Sequence, residues 1–114
     1  LPSCIAGGIG QFHDPAKNHF SKGNYHISME LTAPGGNAKR GFKSAQLVVG
    51  DLPPIEMSKT IETKERVVFE GVVPRSKIPG RSFDYYFTYS TSSPRGDYVF
   101  RPHQMNPVTP PGNN

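Results

Sequence analysis

The sequence predicts an all-β protein, a single antiparallel β-sandwich of about six to eight strands. Apolar and polar residues alternate along several runs, which is the pattern of half-buried strands. Twelve glycines and twelve prolines interrupt these runs with turn chemistry. No useful stretch of the chain has the periodicity of an amphipathic helix.

Composition restricts the class of protein further. A chain of 114 residues forms one domain, and its 34% hydrophobic residues are fewer than globular domains usually contain. No apolar run is long enough to span a membrane. The net charge of +4 comes from basic residues in several short clusters, whereas nucleic-acid modules usually gather them on one face. Nucleic acid is therefore not an expected partner.

The first clear strand is predicted over Asn24–Thr32. Tyr25, Ile27, Met29 and Leu31 alternate there with polar residues, so one face of the strand is expected to be buried. A Pro-Gly-Gly sequence follows and ends the strand, because proline lacks a backbone donor and glycine permits positive φ.

Three further runs are predicted as strands in the middle of the chain, and turn residues rich in glycine and proline separate them. They are Phe42–Val49, the weaker run Ile55–Ile61, and Arg66–Val73.

The strongest strand pattern covers Ser82–Thr91. Phe83, Tyr85, Phe87 and Tyr89 occupy every second position, so their rings share one face. Large aromatic side chains on one face are typical of a central strand that packs on a core.

A hairpin is predicted to bring Tyr98–Arg101 back beside this strand. Pairing Thr91 with Tyr98 also sets Tyr89 opposite Phe100 on the core side and Thr88 opposite Arg101 on the other side. The outer face then offers a ring, hydroxyls and a cation that suit a sugar, a carboxylate or a protein edge. This candidate ligand-binding strip consists of Tyr86, Thr88, Arg101 and His103.

The predicted domain has an irregular segment over residues 1–23, a strand-rich core over 24–103 and a proline-rich tail over 104–114. At this length and strand spacing, an immunoglobulin-like or fibronectin-like sandwich is the expected architecture. The Cys-Trp-Cys core of antibody domains is absent, since the chain has no tryptophan and one cysteine.

Four residues of the N-terminal segment are candidate metal ligands: His13, Asp14, His19 and His26. Imidazole and carboxylate groups suit zinc, copper or nickel, provided that they converge on one point. The alternative is a polar loop with solvated histidines. No other cofactor is expected, because the chain lacks the phosphate-loop and dinucleotide patterns.

Cys4 is the only cysteine, which excludes an intramolecular disulfide. Three states of its thiol stay open: free, bridged between two chains, or lipidated. The last follows from Leu1-Pro2-Ser3-Cys4, which resembles the end of a bacterial lipoprotein signal.

Known catalytic patterns are absent, including Gly-x-Ser-x-Gly and His-Glu-x-x-His. The sequence therefore favours a non-enzymatic binding module that takes a protein or carbohydrate ligand on its sheet face or loops. We expect it to be secreted or held in the cell envelope, with a signal peptide removed. The alternatives are a metal-binding protein using the N-terminal histidines, and an assembly subunit that oligomerises through a sheet edge.

Overall fold

The computed structural model describes residues 8–78, 83–92 and 97–100, and these form two antiparallel β-sheets packed face to face. The prediction of an all-β sandwich is confirmed. Cys4, Arg101, His103 and the proline-rich tail over 104–114 lie outside the described residues. No helix in the described ranges is long and apolar enough to cross a bilayer.

Five strands form the first sheet: β1 (Gly10–Phe12), β2 (His19–Ser21), β3 (Asn24–Thr32), β6 (Ser58–Glu62) and β7 (Arg66–Pro74). Four strands form the second: β4 (Phe42–Val49), β5 (Ile55–Glu56), β8 (Tyr85–Thr91) and β9 (Asp97–Phe100). Short helical turns cover Pro15–Lys17, Pro34–Gly36, Ala38–Gly41 and Arg75–Lys77.

In the five-stranded sheet, β1 and β2 both pair with β3, and β3 continues to β7 and β6. The strand order of the second sheet is β5-β4-β8-β9. The longest ladder joins β3 to β7 and extends from Asn24 opposite Pro74 to Thr32 opposite Arg66. β1 and β2 lie one after the other along the same edge of β3, with a gap between them.

The core contains the alternating residues that the sequence predicts for β3 and β8, together with others such as Ala38, Met57 and Ile78. Every second side chain of β3 and β8 is buried between the sheets, because successive side chains of a strand point to opposite faces. The buried aromatic residues Phe83, Tyr85, Phe87 and Tyr89 confirm the predicted inner face.

A glycine allows the sheets to approach closely at one point of this core. Gly71 in β7 is buried, and a Cβ at this position would lie 2.9 Å from Cδ2 of Leu47 in β4. Leu47 itself is fully buried and occupies the volume that a larger residue at position 71 would need.

The structure differs from the prediction in two places along the chain. Residues 1–23 were expected to be irregular, yet they contribute β1 and β2, each only three residues long. The run Ile55–Ile61 is not one strand, because the chain crosses from the second sheet to the first at the buried Met57. The backbone N–H of Met57 donates to the carbonyl oxygen of Ala45 at 2.9 Å during this crossing.

The register of the last hairpin also differs from the prediction. Tyr89, and not Thr91, lies opposite Tyr98, so that Phe87 faces Phe100. The shift is an even number of residues, and it therefore changes the cross-strand partners without exchanging the inner and outer faces.

Candidate functional site

The outer face of the five-stranded sheet carries a row of side chains that runs across four of its strands, β1, β3, β7 and β6. The registers place Phe12 of β1 opposite Glu30 of β3, Glu30 opposite Val68 of β7, and Val68 opposite Ile61 of β6. Directly opposed residues in antiparallel strands project from the same face. We call Phe12, Glu30, Val68 and Ile61 the outer row.

Two members of the outer row are apolar and exposed. Phe12 exposes 55% of its surface and Ile61 exposes 39%, while Val68 between them is half-buried. The ring of Phe12 lies against Gly10, since a Cβ at Gly10 would be 2.8 Å from its Cε2. Gly10 therefore provides the space in which the Phe12 ring rests.

One member of the outer row, Glu30, belongs to a charged pair. Nη1 of Arg66 donates to Oε1 of Glu30 at 3.0 Å, and the two side chains are 43% and 32% exposed. A pair this exposed contributes at most about 1 kcal/mol to stability. Its main effect is to place one cation and one anion beside the apolar side chains.

A shallow depression of about 630 Å³ extends from the outer row to the gap between β1 and β2. Its lining combines apolar, cationic and anionic side chains, among them Phe12, Lys17, Glu30, Ile61, Arg66 and Val68. Such a combination suits a ligand that presents both apolar and polar groups.

His13 lies in the gap between β1 and β2. Its Nδ1 is 2.7 Å from the carbonyl oxygen of Ser28 in β3, and its Nε2 is 2.6 Å from the hydroxyl oxygen of Tyr85 in β8. A carbonyl oxygen only accepts, so Nδ1 carries the proton and Nε2 accepts from Tyr85. The same hydroxyl accepts from Nδ2 of Asn18 at 3.0 Å.

These contacts belong to a polar clasp that joins the N-terminal segment to β8. Its members are Gln11, His13 and Asn18 on one side and Tyr85 and Tyr89 on the other, with Nε2 of Gln11 donating to the Tyr89 hydroxyl at 2.6 Å. Burial lowers the pKa of His13 and raises the pKa of Tyr85. Both groups are therefore neutral near pH 7, and His13 acts as a bridge between the sheets.

The predicted metal set of His13, Asp14, His19 and His26 does not converge. Both ring nitrogens of His13 are hydrogen-bonded within the clasp. Oδ1 of Asp14 accepts from the backbone N–H of Ala16 at 3.0 Å and caps the helical turn that follows. Among the described residues, the structure therefore brings His19 and His26 together but engages His13 and Asp14 elsewhere.

His19 and His26 do come together, through the tight turn that joins β2 to β3. Lys22 and Gly23 have φ angles of 53° and 83°, and this pair of positive values produces a two-residue hairpin loop. The loop sets the register in which His19 lies opposite His26. The two imidazole rings are stacked, with centroids 4.6 Å apart and planes inclined by 1°.

Glu70 of β7 completes a cluster with these histidines. Its Oε2 lies 3.4 Å from Nδ1 of His26. One ligand atom from each of His19, His26 and Glu70 lies within 4.8 Å of the other two. Sequence reasoning missed Glu70, because only the pairing of β3 with β7 brings it near the histidines.

The predicted ligand strip lies on the outer face of the four-stranded sheet. Tyr86 is half-buried opposite Val48, and Thr88 lies opposite Val99, the place that the predicted register assigned to Arg101. The pairing of Thr88 with Arg101 was therefore wrong.

Hydrogen bonds already connect the polar side chains of this second face. Oγ1 of Thr88 donates to Oε1 of Gln46 at 2.8 Å, and Nε2 of Gln46 donates to Oε2 of Glu56 at 2.7 Å. Ser44 and Ser90 pair through their hydroxyls at 2.9 Å. A ligand on this face would have to compete with these bonds.

No protein-family model, curated protein or solved structure matches this chain.

Proposed function

We propose that this domain is a non-enzymatic binding module that takes a protein partner on the outer face of its five-stranded sheet. The observation that carries the proposal is the outer row, in which exposed Phe12 and Ile61 occupy the two ends and Glu30, paired with Arg66, and the half-buried Val68 lie between them. Exposed apolar side chains together with charged groups suit a protein interaction site.

A protein ligand fits this face better than a carbohydrate. Sugar sites need hydrogen-bonding groups around a stacking ring; the depression does contain polar groups, but Phe12 has no hydroxyl, and Val68 and Ile61 at the far end of the outer row are apolar. An apolar side chain of a partner would bury the exposed surface of Phe12 and Ile61. Glu30 and Arg66 would then fix its orientation by charge.

The strand order supports a finer assignment of the fold. β1, β3, β7 and β6 follow the sequence of strands A, B, E and D in an immunoglobulin sheet, and β4, β8 and β9 follow C, F and G. Our proposal is therefore an immunoglobulin-like sandwich, with β5 as an extra strand beside β4. Such folds commonly bind through loops and sheet faces.

The proposal includes export to the cell envelope or the medium. Its support is the abundance of glycine and proline in the loops. Fractionation of the native host with an antibody against the domain tests this part. Recovery in the cytoplasmic fraction alone would refute it.

Peptide selection tests the proposed ligand class directly. Random peptides displayed on phage would be selected on the wild-type domain and counter-selected on Phe12→Asp. We expect the selected peptides to shift amide resonances of β1, β3, β6 and β7, and to bind Phe12→Asp at least about tenfold more weakly.

Val99→Asp is the matched control, because Val99 is 49% exposed on the outer face of the other sheet. It should retain full peptide affinity. Equal losses in both variants, or peptides that map to the four-stranded sheet, would contradict the proposal. A glycan array forms the second arm, in which binding that Tyr86→Ala abolishes and Phe12→Asp leaves intact would replace the protein ligand with a carbohydrate.

Assembly through a sheet edge is the weaker alternative. All five residues of β6 are exposed at the edge of its sheet. However, the Lys59–Glu62 ion pair, with 2.9 Å between Nζ and Oε2, places charges along this edge. Charged edge strands disfavour pairing with another chain. Light scattering over a range of protein concentrations should therefore show monomers.

A further inference from the structure

We propose that His19, His26 and Glu70 form a binding site for a divalent transition metal ion of the zinc class. The site lies on the outer face of the five-stranded sheet, near the start of β3 and next to the β2–β3 turn. It goes beyond the proposed protein-binding function and does not depend on it.

The backbone holds the three ligands in place. His19 and His26 are directly opposed across β2 and β3. Glu70 is paired with Ser28, the next outward-facing residue of β3 after His26, and therefore lies diagonally from His26. Strand pairing, and not a loop, thus sets the positions of all three Cα atoms, and only side-chain torsions remain to be adjusted on binding.

The required adjustment is small. The three ligand atoms now lie within 4.8 Å of one another. Tetrahedral zinc with bonds of about 2.0–2.1 Å would draw them to separations of about 3.4 Å. Side-chain rotations of His19, which is exposed, and of the half-buried His26 and Glu70 can supply this change.

The hydrogen bonds of the histidines suit metal binding. Nδ1 of His19 lies 3.3 Å from the carbonyl oxygen of Lys17, and a proton on this nitrogen leaves the lone pair on Nε2. A backbone carbonyl on the second ring nitrogen is a common partner of metal-binding histidines. Nδ1 of His26 lies 3.4 Å from Oε2 of Glu70, so one metal ion can contact both atoms after a small adjustment.

Two imidazoles and one carboxylate favour zinc, copper or nickel over magnesium or calcium, which prefer oxygen ligands. Three protein ligands leave a tetrahedral ion with one position for water or an external donor. The expected stoichiometry is one ion for each chain.

Isothermal titration with zinc chloride tests the site on the full untagged chain, with Cys4→Ser in every sample to remove the thiol. We expect one saturable site, and zinc should raise the melting temperature. Glu70→Gln and His19→Ala should each weaken zinc binding at least about tenfold. Magnesium chloride should show no saturable binding.

Asp14→Asn is the control, since Asp14 caps a helical turn outside the cluster, and it should bind zinc like the parent. Long-range nitrogen–proton NMR spectra of the imidazoles should shift for His19 and His26 and stay unchanged for His13.

Zinc that fails to saturate, or that binds equally well to Glu70→Gln and His19→Ala, would overturn the proposal. Both variants change surface-accessible side chains, and a circular dichroism spectrum like the parent's verifies their fold.

Discussion

Nε2 of His13 lies 2.6 Å from the hydroxyl oxygen of Tyr85, and this hydrogen bond connects the N-terminal segment to a strand of the opposite sheet. The ring of His13 also contacts Phe87 edge-on, with centroids 5.0 Å apart. His13 thus covers the middle of this edge of β3, between β1 and β2, where no strand pairs with it. The stability of the domain should depend on the protonation of this one imidazole.

The pH dependence of stability follows from the burial of His13. Burial lowers its pKa below the ordinary value of 6.5, although the Ser28 carbonyl and the Asp14 carboxylate act in the opposite direction. The unfolded chain therefore binds a proton more readily than the folded one. The stabilisation is complete above the ordinary pKa and is lost as the pH falls from there through the folded-state pKa.

Urea unfolding at about pH 7.5 and about pH 5.5 measures this effect. The wild-type midpoint should fall on acidification, and it should fall less in His13→Gln, whose amide does not titrate. An identical decrease in both proteins would show that other groups cause the pH dependence.

Tyr85→Phe should destabilise the domain by about 1–3 kcal/mol. The substitution removes the hydroxyl that serves both His13 and Asn18, and it leaves their polar atoms without this partner. Thermal or urea unfolding at neutral pH provides the measurement.

Tyr25→Phe is the matched control for that change. The Tyr25 hydroxyl is buried and has no hydrogen-bond partner among the described residues. Its removal should be neutral or should stabilise the domain by up to about 1 kcal/mol, because no bond is lost. If Tyr25→Phe lowers the free energy of unfolding as much as Tyr85→Phe does, the hydrogen bonds of the clasp do not account for the loss of stability.

Gly71→Ala should cost about 1–3 kcal/mol through overpacking. The new methyl group would lie 2.9 Å from Cδ2 and 3.0 Å from Cβ of Leu47, which is fully buried and has nowhere to move. Gly41→Ala is the comparison, because a Cβ there has nothing within 4 Å. It should be neutral or stabilise the domain by up to about 1 kcal/mol. Equal unfolding midpoints for the two variants would show that the sheets relax around position 71.

Gly10→Ala should disturb the proposed ligand face without unfolding the core. A Cβ at position 10 would contact the Thr32 hydroxyl and the Phe12 ring, which is exposed and can move away. We expect weaker binding of peptides selected on the wild type, with a melting temperature that changes little. Unaltered peptide affinity would indicate that the position of the Phe12 ring does not matter.

The fold could be predicted from the sequence wherever alternation extended over a long strand. The bounds of β3 and β4 agree with the prediction, and β8 buries the predicted aromatic face. β1 and β2 could not be recognised, because three residues are too few to show a period of two. The crossing at Met57 was hidden for a similar reason, since alternation does not reveal which sheet a strand joins.

Strand pairing decides which residues meet in the candidate sites, and the residue pattern along the sequence does not reveal that pairing. The sequence identified His19 and His26, but it grouped them with His13 and Asp14 because neighbours along the chain are the only neighbours that a sequence displays. Glu70 entered the cluster through the β3–β7 register. Phe12 could not be identified either, since a lone aromatic residue after several glycines gives no indication of its exposure.

The ladder between β3 and β7 affects how the chain folds during its synthesis. β3 cannot acquire its longest partner until Arg66–Pro74 has left the ribosome. Until then the backbone groups on that edge of β3 have no partner strand. The apolar side chains of Tyr25, Ile27, Met29 and Leu31 are meanwhile open to association with other nascent chains. Translation speed and chaperone supply over this interval should therefore decide how much of the protein reaches its native state.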